Sequence, residues 1–248
     1  MSRITIVMKK MLSQFLCALA LIIVTASAHA DGRPVTVIEL YTSQGCSSCP
    51  PADAYLGKIV DRDDIVALSF HVDYWDYIGW KDKYARPEYT KRQRKYAGHL
   101  GMGYIYTPQL VVQGMAHSAN GSEASKLVKD LRGAKRVDVH VKHVDGGLKI
   151  DIPGGTFNEP ARVLVAAYDN KHDTEIKRGE NSGKTLSNFN VVRDMTSVGR
   201  WSGTAATYMV TEEQLKMEGR DGCAVLLQST KTGRILGAAK IDIRKAKS

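Results

Sequence analysis

Cys46 and Cys49 stand two residues apart in the run Glu39-Leu40-Tyr41-Thr42-Ser43-Gln44-Gly45-Cys46-Ser47-Ser48-Cys49-Pro50-Pro51-Ala52-Asp53. Thiols at that spacing can open and close one disulfide, and the chemistry they offer is thiol–disulfide exchange. Exchange needs one sulfur as a thiolate. The unpaired N–H groups and dipole at a helix start favour that form, so Cys46 is expected to be the more acidic, more exposed, attacking sulfur and Cys49 the resolving one. Ser47 and Ser48 place no charge between the thiols; their hydroxyls either bond a sulfur or serve only the turn. Pro50 and Pro51 fall in a first helical turn, where missing N–H groups cost little.

The elements that must hold this pair follow from the apolar runs on either side. Val35, Thr36, Val37, Ile38 and Leu40 read as a short buried strand, and Ala52 to Val60 as a helix. Ile65 to Phe70 reads as a second buried strand entering His71-Val72-Asp73-Tyr74-Trp75-Asp76. If it lies parallel to the first, as a β-α-β crossover requires, the stretch from His71 to Trp80 walls the thiols. His71 and Asp73 alternate and should face one side, either as a hydrogen-bonded pair or as ligands near the sulfurs. Two thiolates and an imidazole would suit a soft metal such as copper. Trp75 and Trp80 either floor a groove or pack at a junction. Thr107-Pro108 opens a third strand that closes at Gly114.

The chain has 248 residues and a formal charge of +9. Arg3, Lys9 and Lys10, the apolar stretch Leu12 to Val24 and Ala28-His29-Ala30 form an export leader, so the mature chain should begin near Asp31. The apolar stretch is short of the roughly 20 residues a membrane span needs, and no retained anchor is expected. Cys17 leaves with the leader. Of the three cysteines that remain, Cys46 and Cys49 should pair with each other, and Cys223, inside the apolar run Gly222 to Leu227, reads as a small core residue or, alternatively, as a resolving or intermolecular thiol. A bridge across so short a loop removes little unfolded-state entropy, so its value is chemical rather than structural. Lys91, Arg92, Arg94 and Lys95 cluster on an expected helix and Arg244, Lys245 and Lys247 form a tail. Both read as solvated faces; stacking aromatics are not interleaved with them, and nucleic-acid binding is not expected.

Beyond Arg136 the pattern changes to short alternating runs. Val137, Val139 and Val141 alternate with polar residues, then Asp145-Gly146-Gly147 turns the chain into Leu148, Ile150 and Ile152, a β-hairpin. Further strands are expected at 161–168, 205–210, 223–229 and 235–243, which a β-sandwich would accommodate. Arg178, Glu180 and Asn181 read as a polar hairpin turn with internal ion pairing.

The order strand, CxxC, helix, strand, helix, Thr-Pro, strand, Gly over Pro34 to Leu131 resembles the thioredoxin fold. The strings quoted around Cys46 and His71, together with Arg178-Gly179-Glu180-Asn181 and Asn190-Val191-Val192, resemble the secreted bacterial family of unknown function numbered 1223. These resemblances imply a signal peptide over 1–30, an α/β thioredoxin-like N-terminal domain over 31–134 and a mainly β, sandwich-like C-terminal domain over 135–248. They imply that Pro108 is a cis-proline near the disulfide, with Thr107 presenting backbone to a substrate chain, and they put Glu39 close to a buried acid that accepts the Cys49 proton. Gly45 departs from the pattern, which carries an aromatic there. The expected function is a periplasmic or secreted thiol–disulfide oxidoreductase with no cofactor, acting on exported protein thiols or disulfides and recharged by an external redox partner. A copper-handling protein using Cys46, Cys49 and His71, and a binding module with an inert disulfide, are the alternatives.

Overall fold

In the computed structural model the described residues are 35–155, 157 and 159–243. The leader over 1–30, Cys17 and the basic tail lie outside them. Strand β1 (Thr36–Thr42) runs into the cysteine loop and helix α1 (Pro50–Ile59); β2 (Ile65–His71) returns parallel to β1, with Thr36 opposite Ile65 and Thr42 opposite His71. Helix α2 (Pro87–His99), β3 (Gln109–Val112), β4 (Ala116–Ser118) and helix α3 (Gly121–Asp130) complete the first half. The second half is all strand: β5 (His140–Val144), β6 (Gly147–Ile152), β7 (Ala161–Glu175), β8 (Thr185–Trp201), β9 (Ala206–Thr211), β10 (Gly222–Ser229) and β11 (Ile235–Asp242).

These strands make one eight-stranded mixed sheet, in the order β11-β10-β7-β8-β2-β1-β3-β4, and one three-stranded sheet, β5-β6-β9. The expected α/β thioredoxin-like domain followed by a β-sandwich is therefore corrected: among the described residues the fold is mainly β, with a large mixed sheet and three short helices. The physical reason lies in β7 and β8, 15 and 17 residues long, which reach beyond the C-terminal half. At Val191, β8 pairs in parallel with Ser69 of β2, so strands of the second half extend the sheet that the first half begins.

Alternation along the strands assigns each face. Val37 and Tyr41 of β1, Leu68 and Phe70 of β2, and Leu164, Ala166 and Leu226 farther along share one apolar layer with Tyr89 and Tyr96 of α2. On the other face, Ile38, Leu40 and Ala67 meet Ala52 and Leu56 of α1 and Ala124 and Val128 of α3. Toward the far end of that face Val163, Val165, Val225 and Leu227 pack on Leu148 and Ile150 of the small sheet, with Trp201 between them. Each such fully buried Leu, Ile or Phe contributes roughly 1.5–3 kcal/mol. Asp145-Gly146 makes the two-residue hairpin loop between β5 and β6, and Gly146 adopts φ 71°, a conformation that favours glycine. Cys223 is fully buried in the apolar layer around the small sheet, and burial pushes its thiol up to about 12, so it is a core residue rather than a reactive one. Among the described residues, no helix is long and apolar enough to cross a membrane.

Candidate redox site

Strand β1 ends at Thr42 and the chain makes a tight loop before α1. In it the Cys46 N–H donates to Ser43 O (3.1 Å) and the Cys49 N–H to Cys46 O (3.3 Å). Cys49 is the N-cap of α1 and offers no capping side chain, and the two prolines fill the first turn. Cys46 and Cys49 form a disulfide with a Cα–Cα distance of 5.5 Å. Both residues are buried, Cys46 at 1 % and Cys49 at 0 % exposure, so the expected difference in access is not present in the oxidised chain. Ser47 and Ser48 cover the bridge and are exposed. Ser48 Oγ lies 3.3 Å from Cys46 Sγ and 3.5 Å from the Thr107 carbonyl oxygen. Thr107 Oγ1 in turn accepts from Trp75 Nε1 at 2.7 Å, and Thr107 is joined to Pro108 by a cis peptide that leads into β3. The structure thus brings Cys46, Cys49 and Thr107 together. Gly45 is explained by Trp75: a Cβ at position 45 would sit 3.2 Å from Trp75 Cβ, so the aromatic comes from the wall and the loop residue must be small.

The loop is held by the tip of the β7–β8 hairpin, which the sequence did not connect with the cysteines. Asn181, fully buried, donates through Nδ2 to Gln44 O (2.9 Å) and Cys46 O (3.0 Å), and the Ser47 N–H donates to Glu180 Oε2 (3.2 Å). Arg178, Glu180 and Asn181 therefore do not form a self-contained ion-paired turn. Gln44 is equally buried; its N–H donates to Asp82 Oδ2, its Nε2 to Asn188 Oδ1, and its Oε1 accepts from Trp80 Nε1. Buried polar groups paired this fully fix one loop conformation.

Beneath the loop, on the face of the sheet that carries α1, lies a cluster of buried ionisable groups. His71 Nδ1 is 2.6 Å from Asp82 Oδ2, with both side chains at 0 % exposure. Asp73, the partner expected from alternation, instead accepts from Thr90 Oγ1 at 2.5 Å, because β2 ends at His71. Burial works to lower the His71 pKa, but the Asp82 carboxylate outweighs it and the imidazole is held above its ordinary value; Asp82, pushed up by burial, is pulled below its own by His71. Asp53 follows Cys49 by one turn of α1 and accepts from Thr42 Oγ1 at 3.2 Å. Burial pushes its carboxyl up to about 7, against the pull of His71, Thr42 and Asn188. Among the described residues three buried polar atoms here have no partner within hydrogen-bond geometry, Asp53 Oδ1, His71 Nε2 and Asn188 Nδ2, although the Asn188 amide lies close enough to pull on the Asp53 carboxyl.

Glu39 sits on the opposite face. Its carboxylate takes Arg92 Nε (2.6 Å) and Nη2 (2.8 Å) and the hydroxyls of Tyr41 (3.0 Å) and Tyr96 (2.6 Å), so it belongs with α2 and not with Cys49. Strand alternation is the reason: Leu40 points toward α1 and Glu39 away from it. The buried acid on the cysteine side is Asp53, whose signal in the sequence was its i, i+4 spacing from Cys49. Among the described residues no group of three His, Cys, Asp or Glu side chains is arranged to hold a metal ion, so the set Cys46, Cys49 and His71 is not assembled as one.

A chain built on this sheet, with a buried disulfide at the start of α1, matches the family described as Protein of unknown function (DUF1223) over residues 37–228. The chain belongs to that family. The crystal structure of protein AGR_C_4864 from Agrobacterium tumefaciens is similar at 35 % identity and a TM-score of 0.72, over 84 % of this chain and 94 % of that one. HBP35 of Porphyromonas gingivalis shares the fold at 12 % identity and a TM-score of 0.54, over 86 % of this chain and 76 % of that one. No curated protein gives a significant sequence match.

Proposed function

We propose that the protein is a thiol–disulfide oxidoreductase of exported proteins that works through Cys46 and Cys49. The observation that carries this is the short bridge at the start of α1 set one helical turn from a buried carboxyl, Asp53, that retains an unbonded oxygen. In the oxidised chain, a substrate thiolate attacks Cys46 Sγ. The Cys46–Cys49 bond breaks, a mixed disulfide forms at Cys46, and the electron pair of the broken bond leaves on Cys49 as a thiolate. A second substrate thiolate then attacks the substrate sulfur of the mixed disulfide and releases Cys46 as a thiolate. Two electrons have passed to the protein, and an external redox partner must remove them before the next turnover. Run in reverse, the same steps reduce a substrate disulfide.

Each nearby group has a task in this scheme. The helix start stabilises the Cys46 thiolate. Asp53, with its carboxyl pushed up to about 7, takes and returns the Cys49 proton, the task that the thioredoxin resemblance implies for Glu39. Thr107 and Pro108 border the sulfur that a substrate must reach, and the 3.5 Å approach of Ser48 Oγ to Thr107 O is the weakest link in the cover.

Equilibration of the purified chain with glutathione buffers, read by alkylation and mass spectrometry, tests the proposal. A potential between about −120 and −270 mV matches working exchange proteins; one below about −300 mV, with both sulfurs resisting reductant, makes the bridge structural. The second reading, a binding module with an inert bridge, draws on the burial of both cysteines, and the latter result selects it.

A further inference from the structure

The side of the sheet remote from the disulfide carries a cleft of about 770 Å³ between α2 and the strands β7, β8 and β10. Its floor is apolar and aromatic, formed by Leu164, Met195 and Tyr96, and its rim is strongly basic. Several of those cations already have acids. Arg92 is paired with Glu39, Arg193 with Asp169 and Lys216 with Asp194. Arg86, Lys91, Lys95 and Arg162 also line the cleft, and none of the four has a carboxylate partner among the described residues; Glu88 is the one lining acid left to face them. Lys91 and Lys95 are four residues apart on α2 and so project from one side of it, toward Arg162 of β7. The basic run of α2 is thus divided: Arg92 turns inward to Glu39, while Lys91 and Lys95 border a cavity and do not simply meet solvent.

Four cations faced by a single free acid around one concavity leave a net positive charge there, and a concave wall of low dielectric strengthens their common field. The volume lies within the range of small-molecule sites, and an apolar floor beneath a charged rim is how such sites are built. We infer that this cleft binds a small organic anion carrying two or more phosphate or carboxylate groups, with the charged groups at Arg86, Lys91, Lys95 and Arg162 and the body of the ligand on Leu164, Met195 and Tyr96. The cleft is a half-open concavity whose volume suits a small ligand, whereas a nucleic acid or a membrane would need a broader surface of like charge. Gln228 supports the wall: its Oε1 accepts from Arg92 Nη1 at 2.9 Å, and its Nε2 donates to Tyr96 OH at 2.8 Å and to Gly233 O at 2.7 Å.

The test is calorimetric titration of the oxidised chain, disulfide intact, with ATP, inorganic pyrophosphate and citrate at low salt, a readout independent of exchange activity. At least one of the three is expected to bind saturably at one equivalent. The double reversal Lys95→Glu with Arg162→Glu should weaken it by about a hundredfold, since removing one charge-assisted hydrogen bond to the anion costs about tenfold or more. Both residues are exposed, so the fold should persist. Lys129→Glu, on α3 across the sheet, should leave binding within about twofold, the scale of a distant exposed charge. Absence of saturable binding by all three probes overturns the inference, as does binding that the double reversal leaves intact. Retention confined to duplex DNA or phosphatidylglycerol vesicles overturns it too, in favour of a macromolecular surface.

Discussion

Two clusters of buried charge lie on opposite faces of the large sheet, and they are finished to different degrees. On the α2 face, Glu39, Arg92, Tyr41 and Tyr96 satisfy one another: the carboxylate accepts four hydrogen bonds and the guanidinium is shared between it and Gln228. On the α1 face, Asp82 and His71 pair closely, yet Asp53 Oδ1, His71 Nε2 and Asn188 Nδ2 have no hydrogen-bond partner among the described residues. A closed cluster holds the elements that carry its members in register. An open one, beneath the loop that carries the bridge, leaves room for a proton to come and go, as the proposed exchange requires. On the proposed function, stability belongs to the first cluster and chemistry to the second, and that division can be broken by substitution.

The largest effect is expected at Glu39. Glu39→Ala strands the Arg92 guanidinium in the core and should lower unfolding free energy by about 3–5 kcal/mol, measured by urea denaturation. The rate of exchange with glutathione by the folded fraction should stay within about twofold. If Glu39→Ala slows exchange severely, the two clusters are not separate and the assignment of roles fails.

Asp53→Asn should do the reverse. Asp53 has a folded pKa of about 7 against an ordinary 3.8, so between those values the folded chain binds more protons than the unfolded one. Its contribution to stability is fully present below about pH 4 and is lost as pH rises through about 7. The raised pKa of His71 acts in the same direction above its own ordinary value, while the lowered one of Asp82 contributes stability above the ordinary carboxylate range that is lost in acid. The urea midpoint should therefore fall between pH 5 and 8. In Asp53→Asn the fall should shrink, with a gain at pH 8 of roughly 2–4 kcal/mol. Exchange should slow by about a hundredfold. An unchanged exchange rate would remove Asp53 from the mechanism and leave only its stability role.

How far the sequence could be read follows the same division. The strand-loop-helix-strand order around Cys46 was legible because Val37 to Leu40 and Ile65 to Phe70 are short, mainly apolar runs, while Ala52, Leu56 and Ile59 recur at helical spacing. Of the hairpin β7–β8 only the first part of β7, 161–168, was legible, and β8 was missed. Asp169-Asn170-Lys171-His172-Asp173-Thr174-Glu175 reads as loop by composition, yet it continues β7, held in register by β8 from Lys171–Phe189 to Glu175–Thr185. The tip of that hairpin docks against the cysteine loop through hydrogen bonds between residues more than 130 positions apart, which no local pattern announces. The His71–Asp82 pair was hidden for a related reason: the stretch between them is irregular, and no period predicts which acid returns to the imidazole. Glu39 was misplaced by a single step of strand alternation, which exchanges the two faces of the sheet.

The dependence on the hairpin tip gives a smaller prediction. Asn181→Ala leaves the carbonyls of Gln44 and Cys46 without this donor and should lower stability by about 1–3 kcal/mol. Because the loop it holds covers the bridge, the same variant should also speed reduction of Cys46–Cys49 by dithiothreitol. Loss of stability with unchanged reduction kinetics would mean that the tip supports the sheet and not the site.

The smallest effect is expected at Cys223, the control thiol. It is fully buried in β10 between β7 and β11, and burial holds its thiol near 12, far from any thiolate at neutral pH. Cys223→Ala removes one small apolar group and should cost about 1 kcal/mol. The potential of the Cys46–Cys49 pair should not move, and in the parent chain iodoacetamide should label Cys223 only when the protein is unfolded. A shift in potential, or rapid labelling of the native state, would show that the second half of the chain takes part in exchange directly, and the contrast between a reactive first half and a supporting second half would have to be redrawn around three thiols instead of two.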